Sequence, residues 1–464
     1  MTLSLRILLS NCIQMKLLAL ISCLYLFPVL TGTAGAFAQE FRQSDLDAFF
    51  DHLTEHQRFM GSVAILSGDS LVYDGSRGYA DIDNSIPNRP DTRHRIGSVT
   101  KPFTAVIMLQ LANEEKLDLQ QPLSDFFDGF PSADDITLEH LLYHRSGLFN
   151  FTNDPEYTSW MTEPKTRDEL LDLTMQYDLQ FDPGTGTEYS NTNYILLGFI
   201  IEEVTGGSYQ EALETRITGP LGLSDTFYGR ETATDGSEAF SYAFSDEWKK
   251  QPQTDMSIPH GAGALISTPS DLVRFGRALF SGELLDENGL RKMTDLQGNF
   301  GMGLMRNVYH DQSGFGHSGG IDGFQANLAI FPDDELYMAF TANAMSYSGN
   351  ELMIAMLDAW HGEPVSLPDF GIVELPEKHL KLLAGEYESE QIPLGITISQ
   401  RNGTLIIQAT GQPPVAMEAS SPTLFRFDRA GLVIEFHPDE ENEEKSFRSF
   451  TLTQAGQEYL FKRK

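Results

Sequence analysis

Three short segments of this chain carry side chains that could move protons around a nucleophilic hydroxyl. Ser98-Val99-Thr100-Lys101 opens a run in which Phe103, Val106, Ile107, Met108, Leu109 and Leu111 nearly encircle a helix from Ser98 to Glu115. A helix apolar on all sides is a buried one. Positions i and i+3 share a helix face, so the Ser98 hydroxyl and the Lys101 amine can meet. Burial and the positive end of the helix dipole both disfavour a charged lysine there, and a neutral lysine can take a serine proton. Pro102 is tolerated because first-turn N–H groups have no intrahelical partner. Taken alone, the same four residues equally fit an N-cap serine followed by a surface lysine.

The second segment, Tyr189-Ser190-Asn191, precedes a helix predicted from Asn193 to Val204. A phenol can relay protons if neighbouring cations lower its pKa, and a carboxamide can both donate to a substrate carbonyl and accept from its N–H. Alone it would read as a turn with a half-buried tyrosine. The third is Gly316-His317-Ser318-Gly319-Gly320, whose glycines allow close approach of a substrate backbone.

In this order, the three motifs resemble the serine β-lactamase and penicillin-binding-protein family (D-alanyl-D-alanine carboxypeptidases of the peptidase S12 type). The likeness is strongest to its class C-like branch, which has a Y-x-N motif where class A enzymes have S-D-N. Surrounding phrases fit as well: Arg95-Ile96-Gly97, Leu141 to Leu148, Pro183-Gly184 and Pro220-Leu221-Gly222-Leu223. The resemblance implies an acyl-enzyme hydrolase acting on an amide or ester, whether D-amino-acid peptide, β-lactam or small ester. A non-hydrolytic penicillin-binding sensor on the same scaffold is the alternative. It implies Ser98 as nucleophile, Lys101 as its activator and Tyr189 as general acid/base. Asn191, His317, Gly319 and Gly320 would bind substrate, and the N–H groups of Ser98 and Gly320 would form the oxyanion hole. No cofactor or metal is implied. Where the family's familiar third motif is K-T-G, this chain has His317-Ser318-Gly319. A histidine can hydrogen-bond there without supplying a fixed charge near neutral pH.

Two other patterns compete. Gly316 to Gly320 also satisfies G-x-S-x-G, the nucleophile elbow, which requires a helix directly after Ser318; Ile321 to Phe331 reads instead as strand. His140 and His144 are spaced as a metal pair on a helix, but no glutamate follows His140 and a structural pair is expected.

The elements that must hold these motifs follow from periodicity. Ser44 to Met60 reads as an amphipathic helix; Gly61–Leu66 and Ser70–Tyr73 read as a hairpin turning at Ser67-Gly68-Asp69. Residues from about 118 to 255 read as mostly helical. Ala326–Phe331 and Leu336–Thr341 read as strands joined by Pro332-Asp333-Asp334, with a closing helix from Glu351 to Trp360. The expected fold is α/β plus an all-α lobe: an antiparallel sheet flanked by helices, with the helical lobe inserted, over residues 39–365. The stretch Gly362–Pro376 contains Pro364 and Pro368, and its residues 366–376 form the expected linker. Residues 377–464 have period 2 and a strong Asn402-Gly403 turn, which predicts a small antiparallel, barrel-like β domain. Asp439 to Glu444 reads as a solvated acidic loop.

Of 464 residues, 41% are hydrophobic and 21% charged, the composition of a globular protein. Residues 1–38 carry only Arg6 and Lys16 as charges, an apolar run from Leu17 to Leu30 and an Ala36-Phe37-Ala38 cleavage pattern. A secretory signal is expected, with a periplasmic or secreted product. The run is short for a bilayer span and interrupted by Pro28, so no stable membrane span is expected after cleavage. Lipoprotein anchoring at Cys23 is the lesser variant. Cys12 and Cys23 both lie within this segment, leaving no thiol for a disulfide, nucleophile or metal. Net charge is −34 for the whole chain. Such a surface repels polyanions, which argues against nucleic-acid and anionic-lipid partners; a small-molecule or peptide substrate is what the resemblance implies.

Overall fold

A computed structural model describes residues 41–464 apart from 246, 439–446 and 455–456. The expected signal segment with its two cysteines, and the acidic loop at Asp439 to Glu444, lie outside the described residues.

The central sheet is built from the strands Met305–Tyr309, Gln312–Ile321, Phe324–Phe331, Leu336–Met345, Phe59–Ser67 and Ser70–Arg77, side by side in that order and antiparallel. Alternation divides their side chains between two cores. Leu66, Leu328, Ile330 and Ala339 face the buried helices Thr100–Asn113 and Pro269–Phe280. Ile65, Ala329, Phe331, Met338 and Phe340 face the helices Gln43–Glu55 and Gly349–Trp360. Leu336–Met345 is buried at every position because both of its faces are covered.

Two boundaries differ from the sequence reading. The first helix ends at Glu55 because its apolar stripe of Leu46, Phe49, Phe50 and Leu53 runs out, and Phe59 and Met60 already belong to the sheet. The stretch expected to be helical to about residue 255 holds the helices Leu138–Leu142, Arg167–Met175, Asn191–Thr205 and Tyr209–Leu213, and then turns to short strands. Phe227–Tyr228 joins His94–Arg95 and Leu265–Ser267 in a three-stranded sheet, and Tyr242–Phe244 pairs with the central sheet at Ala344. These strands are two or three residues long, too short to show a period of 2.

The C-terminal part is a closed barrel of eight antiparallel strands from Gly385–Glu388 to Gln457–Arg463, sealed by Tyr387 opposite Arg463. Its core includes Ile396, Ile398, Leu405, Ile407, Phe425, Phe436, Phe450 and Phe461. Asn402 and Gly403 both have positive φ, 51° and 79°, as a two-residue primed turn requires. The period-2 reading missed the helix Glu377–Leu383, which is seven residues long and buries only Leu380 and Leu383 against the barrel core.

Residues 362–376 have no helix or strand but are held at several points. Phe370 stacks on His52 and lies under the Arg58 guanidinium, and the Val373 N–H bonds to the Ala419 carbonyl at 2.8 Å. Arg58 in turn reaches Glu418 at 2.9 Å and Asp428 at 3.8 Å on the barrel. Among the described residues no helix is long and apolar enough to cross a membrane.

Candidate active site

Ser98 occupies a single 3-10 turn, Gly97–Val99, that runs directly into the helix Thr100–Asn113. Lys101, one turn on, is fully buried and its Nζ lies 3.0 Å from Ser98 Oγ. The same Nζ is 2.8 Å from Asn191 Oδ1 and 2.8 Å from the Ala262 carbonyl oxygen. Those two oxygens can only accept, so a neutral amine would give them its two hydrogens and present its lone pair to Ser98. Burial holds the Lys101 pKa well below its ordinary value, in agreement with that proton count.

The Tyr189 phenol donates to Ser98 Oγ at 2.8 Å. Burial raises the phenol pKa above its ordinary value, with the Ser98 hydrogen bond opposing, so lowering by a neighbouring cation is not what governs it here. A neutral amine supplies no positive charge to depress it, and Lys101 Nζ sits 4.8 Å from the ring centroid.

The segment leading to Tyr189 is strapped to the turn at His144-Arg145. Gly184 N–H bonds to the Arg145 carbonyl at 2.8 Å, Glu188 N–H to the His144 carbonyl at 3.0 Å, and the Arg145 guanidinium to the Gly184 carbonyl. Beneath the phenol the His144 ring lies 4.5 Å from the Tyr189 ring, and its Nδ1 accepts from Ser190 N–H. Burial holds the His144 pKa well below its ordinary value and keeps the ring neutral. Sequence reasoning noted this phrase only as context; nothing local in it reveals that His144 is the floor under Tyr189. The two spaced histidines serve separate purposes, since His140 Nδ1 accepts from Thr137 N–H in a helix cap.

Asn191 begins the helix Asn191–Thr205. Its Oδ1 is committed to Lys101 and its Nδ2 donates to Thr152 Oγ1 at 3.1 Å, while its backbone N–H is held by Asn150 Oδ1 at 2.9 Å. One amide hydrogen remains for a substrate oxygen.

His317, Gly319 and Gly320 lie on the strand Gln312–Ile321, which pairs with Met305–Tyr309 only as far as Gly316. Residues 317–321 thus have a free edge, and the Ser98 turn packs there. A Cβ on Gly319 would stand 2.0 Å from the Ile96 carbonyl oxygen, and one on Gly97, whose φ is 50°, would stand 2.8 Å from that of Gly320. Only glycine allows these two backbones to approach, which brings Gly320 against the turn carrying Ser98. His317 is buried, with Nδ1 2.5 Å from the Ser318 carbonyl oxygen. A carbonyl only accepts, so the proton is on Nδ1 and Nε2 is bare. Burial lowers the His317 pKa to about 3, so it is uncharged at neutral pH. Ser318 pairs with Asn327 in mid-strand, which rules out the nucleophile elbow.

Ser98, Asn191, His317, Gly319 and Gly320 line one cavity of about 1220 Å³, together with Phe151, Tyr157, Met161, Tyr242 and Phe244. A cleft with a hydroxyl, a neutral amine and a phenol in one hydrogen-bonded chain is equipped for nucleophilic attack with proton transfer.

Comparison with known proteins agrees with this chemistry. The chain is 24% identical over 451 residues to penicillin-binding protein 4* of Bacillus subtilis, covering 90% of this chain and 98% of that one. It is 30% identical over 255 residues to the teichoic acid D-alanine hydrolase of Staphylococcus aureus, covering 53% of this chain and 62% of that one. Among solved structures, a D-amino acid amidase from Ochrobactrum anthropi SV3 superposes with a TM-score of 0.60 at 29% identity, over 69% of this chain and 98% of that chain. The octameric penicillin-binding protein homologue from Pyrococcus abyssi shares the fold with a TM-score of 0.64 at 22% identity, over 90% and 100% of the two chains. The beta-lactamase family profile matches residues 46–359, most of the chain and all of the site, and the protein accordingly belongs to the beta-lactamase family of serine hydrolases.

Proposed function

We propose that the protein is an exported hydrolase that cleaves amides or esters through an acyl-enzyme on Ser98, with a preference for substrates that carry no free carboxylate beside the scissile bond. The observation that carries the mechanism is the contact between the buried Lys101 Nζ and Ser98 Oγ at 3.0 Å, which sets a base beside the nucleophile. In acylation the Ser98 oxygen bonds to the substrate carbonyl carbon while its proton passes to Lys101. The oxyanion is held by the N–H groups of Ser98 and Gly320. On collapse the carbon–nitrogen or carbon–oxygen bond breaks, the leaving atom takes the Tyr189 phenol proton, and the Lys101 proton restores the phenol. Water then attacks the ester by the reverse sequence and frees Ser98.

The substrate preference rests on the charges around Ser98. Lys101 and His317 are neutral, and the nearby Arg95 is already paired with Asp322. A carboxylate between these groups would lose water without gaining an ionic partner from them, the arginines that line the cavity being Arg306 and Arg429. The wall of Phe151, Tyr157, Met161, Tyr242 and Phe244 suits an apolar acyl group. A D-amino acid amidase and a teichoic acid D-alanine hydrolase among the relatives support amides and esters of D-amino acids as the class to examine first. The test compares kcat/KM for D-alanyl-D-alanine peptides with free C-termini against their C-terminal amides and against D-alanyl esters, with β-lactams alongside. Faster turnover of the esters and amides is expected; faster turnover of the free-carboxylate peptides would overturn the preference. The export reading predicts a mature N-terminus at Gln39, readable by N-terminal sequencing.

A further inference from the structure

Arg95 stands three residues before Ser98, and Asp322 two residues after Gly320. Their side chains, 3% and 0% exposed, form an ion pair at 3.1 Å. Arg95 also donates to the Thr254 carbonyl at 2.7 Å and to Gln253 Oε1 at 2.9 Å. Asp322 Oδ1 accepts from Thr254 N–H at 3.0 Å and from Thr254 Oγ1 at 2.7 Å. Asp322 and Gly323 make the two-residue connection between the paired Ile321 and Phe324, and Asp322 has a φ of 55°. A left-handed aspartate persists where surrounding contacts over-determine it, and such strain gathers at functional sites.

The relevant geometry is that of the strand edge. Residues 317–321 pair on one side only, so the neighbouring strand Phe324–Phe331 does not by itself fix how far Gly320 stands from Ser98. The ion pair bridges the two segments directly, anchoring one end of each. Oxyanion donors act only when held close to the developing charge, and a displacement of an ångström can cost about a hundredfold in rate.

We propose that Arg95 and Asp322 are positioning residues, a latch that sets the spacing between the Ser98 and Gly320 N–H groups and so tunes the oxyanion hole. The inference rests on the acyl-enzyme reading above. Neither side chain takes or gives a proton in the reaction.

The test uses the whole protein with a p-nitrophenyl ester and the matching thionoester, whose sulfur is a poor hydrogen-bond acceptor and so reports on the hole. Asp322→Asn keeps the shape and an acceptor for Thr254 but removes the charge. We expect kcat on the oxygen ester to fall by about tenfold or more with KM nearly unchanged, and the preference for oxygen over sulfur to shrink with it. Thr254→Val, which deletes a single bond to Asp322, should move the preference the same way by less; it decides the matter if Asp322→Asn does not fold. Equal loss on both esters, or no loss on either, would overturn the latch. Turnover by the unaltered protein without acyl label on Ser98 would instead remove the reading on which it rests.

Discussion

Lys101 Nζ lies 2.8 Å from Oδ1 of Asn191, so the asparagine expected to face substrate spends its oxygen on the catalytic amine. An uncharged acceptor is what this amine needs. Asn191→Asp would put a carboxylate at hydrogen-bond distance from it, favour the ammonium and raise the Lys101 pKa. At neutral pH the variant should lose activity by about 10²–10⁴-fold, the usual contribution of a general base, and regain it as pH rises. Asn191→Ala removes the acceptor without adding charge and should lose less. An Asn191→Asp enzyme with an unshifted pH–rate profile would contradict the neutral-lysine mechanism.

The unaltered protein makes a related prediction. Lys101 must be neutral to accept the serine proton, so kcat/KM falls as pH drops through its lowered pKa. Tyr189 must be protonated, and its raised pKa keeps it so through the alkaline range. His317, with a pKa lowered to about 3, contributes no inflection near the ordinary histidine value. The profile of kcat/KM should therefore rise with pH on one limb, at a pH well below the ordinary lysine value, with no descending limb below the ordinary phenol range. A bell centred near neutrality would mean that a second group, most simply His317, titrates in the working range.

Much of this site is legible in the sequence because its chemistry is carried by short motifs. Ser98 and Lys101 share one helix turn, and the glycines around His317 and Ser318 mark a close backbone approach. The hydrogen-bond bookkeeping is not legible, because it depends on residues far along the chain: Ala262 closes the Lys101 shell from 161 positions away. The burial that raises the Tyr189 pKa is hidden for the same reason, since only the packed fold encloses the phenol. In the fold, long strands such as Leu336–Met345 declare themselves by apolar runs. Two-residue strands such as Phe227–Tyr228 depend on tertiary pairing with Leu265–Ser267. The Asp322-Gly323 turn interrupts the run Ile321 to Phe331 that the sequence reads as strand, and the ion pair of Asp322 with Arg95 has no local signal at all.

Two serines compete for the nucleophile role by motif, and labelling separates them. An activated phosphonate should add once, at Ser98, because only Ser98 has a base and an acid within 3.0 Å. Ser318 is exposed in mid-strand with no such partners and should remain unmodified. Peptide mapping of the adduct decides, and label on Ser318 would sink the assignment. Lys101→Met should label far more slowly at the same phosphonate concentration.

Among the described residues the barrel supplies none of the side-chain hydrogen-bond partners of Ser98, Lys101, Tyr189 or Asn191, which fall between residues 98 and 262. Its one residue lining the described cavity is Arg429, exposed and without an acidic partner among the described residues. A chain ending at Pro376 should therefore keep its chemical step. That end point matters, since Phe370 packs on His52, His56 and Tyr347 and a cut before it would strip the catalytic part of an aromatic contact. Truncation at Pro376 also removes Glu418 and Asp428 from Arg58, which becomes solvated rather than left unpaired in a dry interface. Some loss of thermal stability is expected from the exposed docking face. The acylation burst on a small neutral ester should stay within about tenfold of the full chain, because a loss confined to remote binding changes KM more than the bond-breaking step. For esters bearing an anionic group far from the scissile bond, KM should rise in both the truncated chain and Arg429→Ala. A folded, truncated protein that no longer acylates Ser98 would mean that the barrel helps to build the site itself.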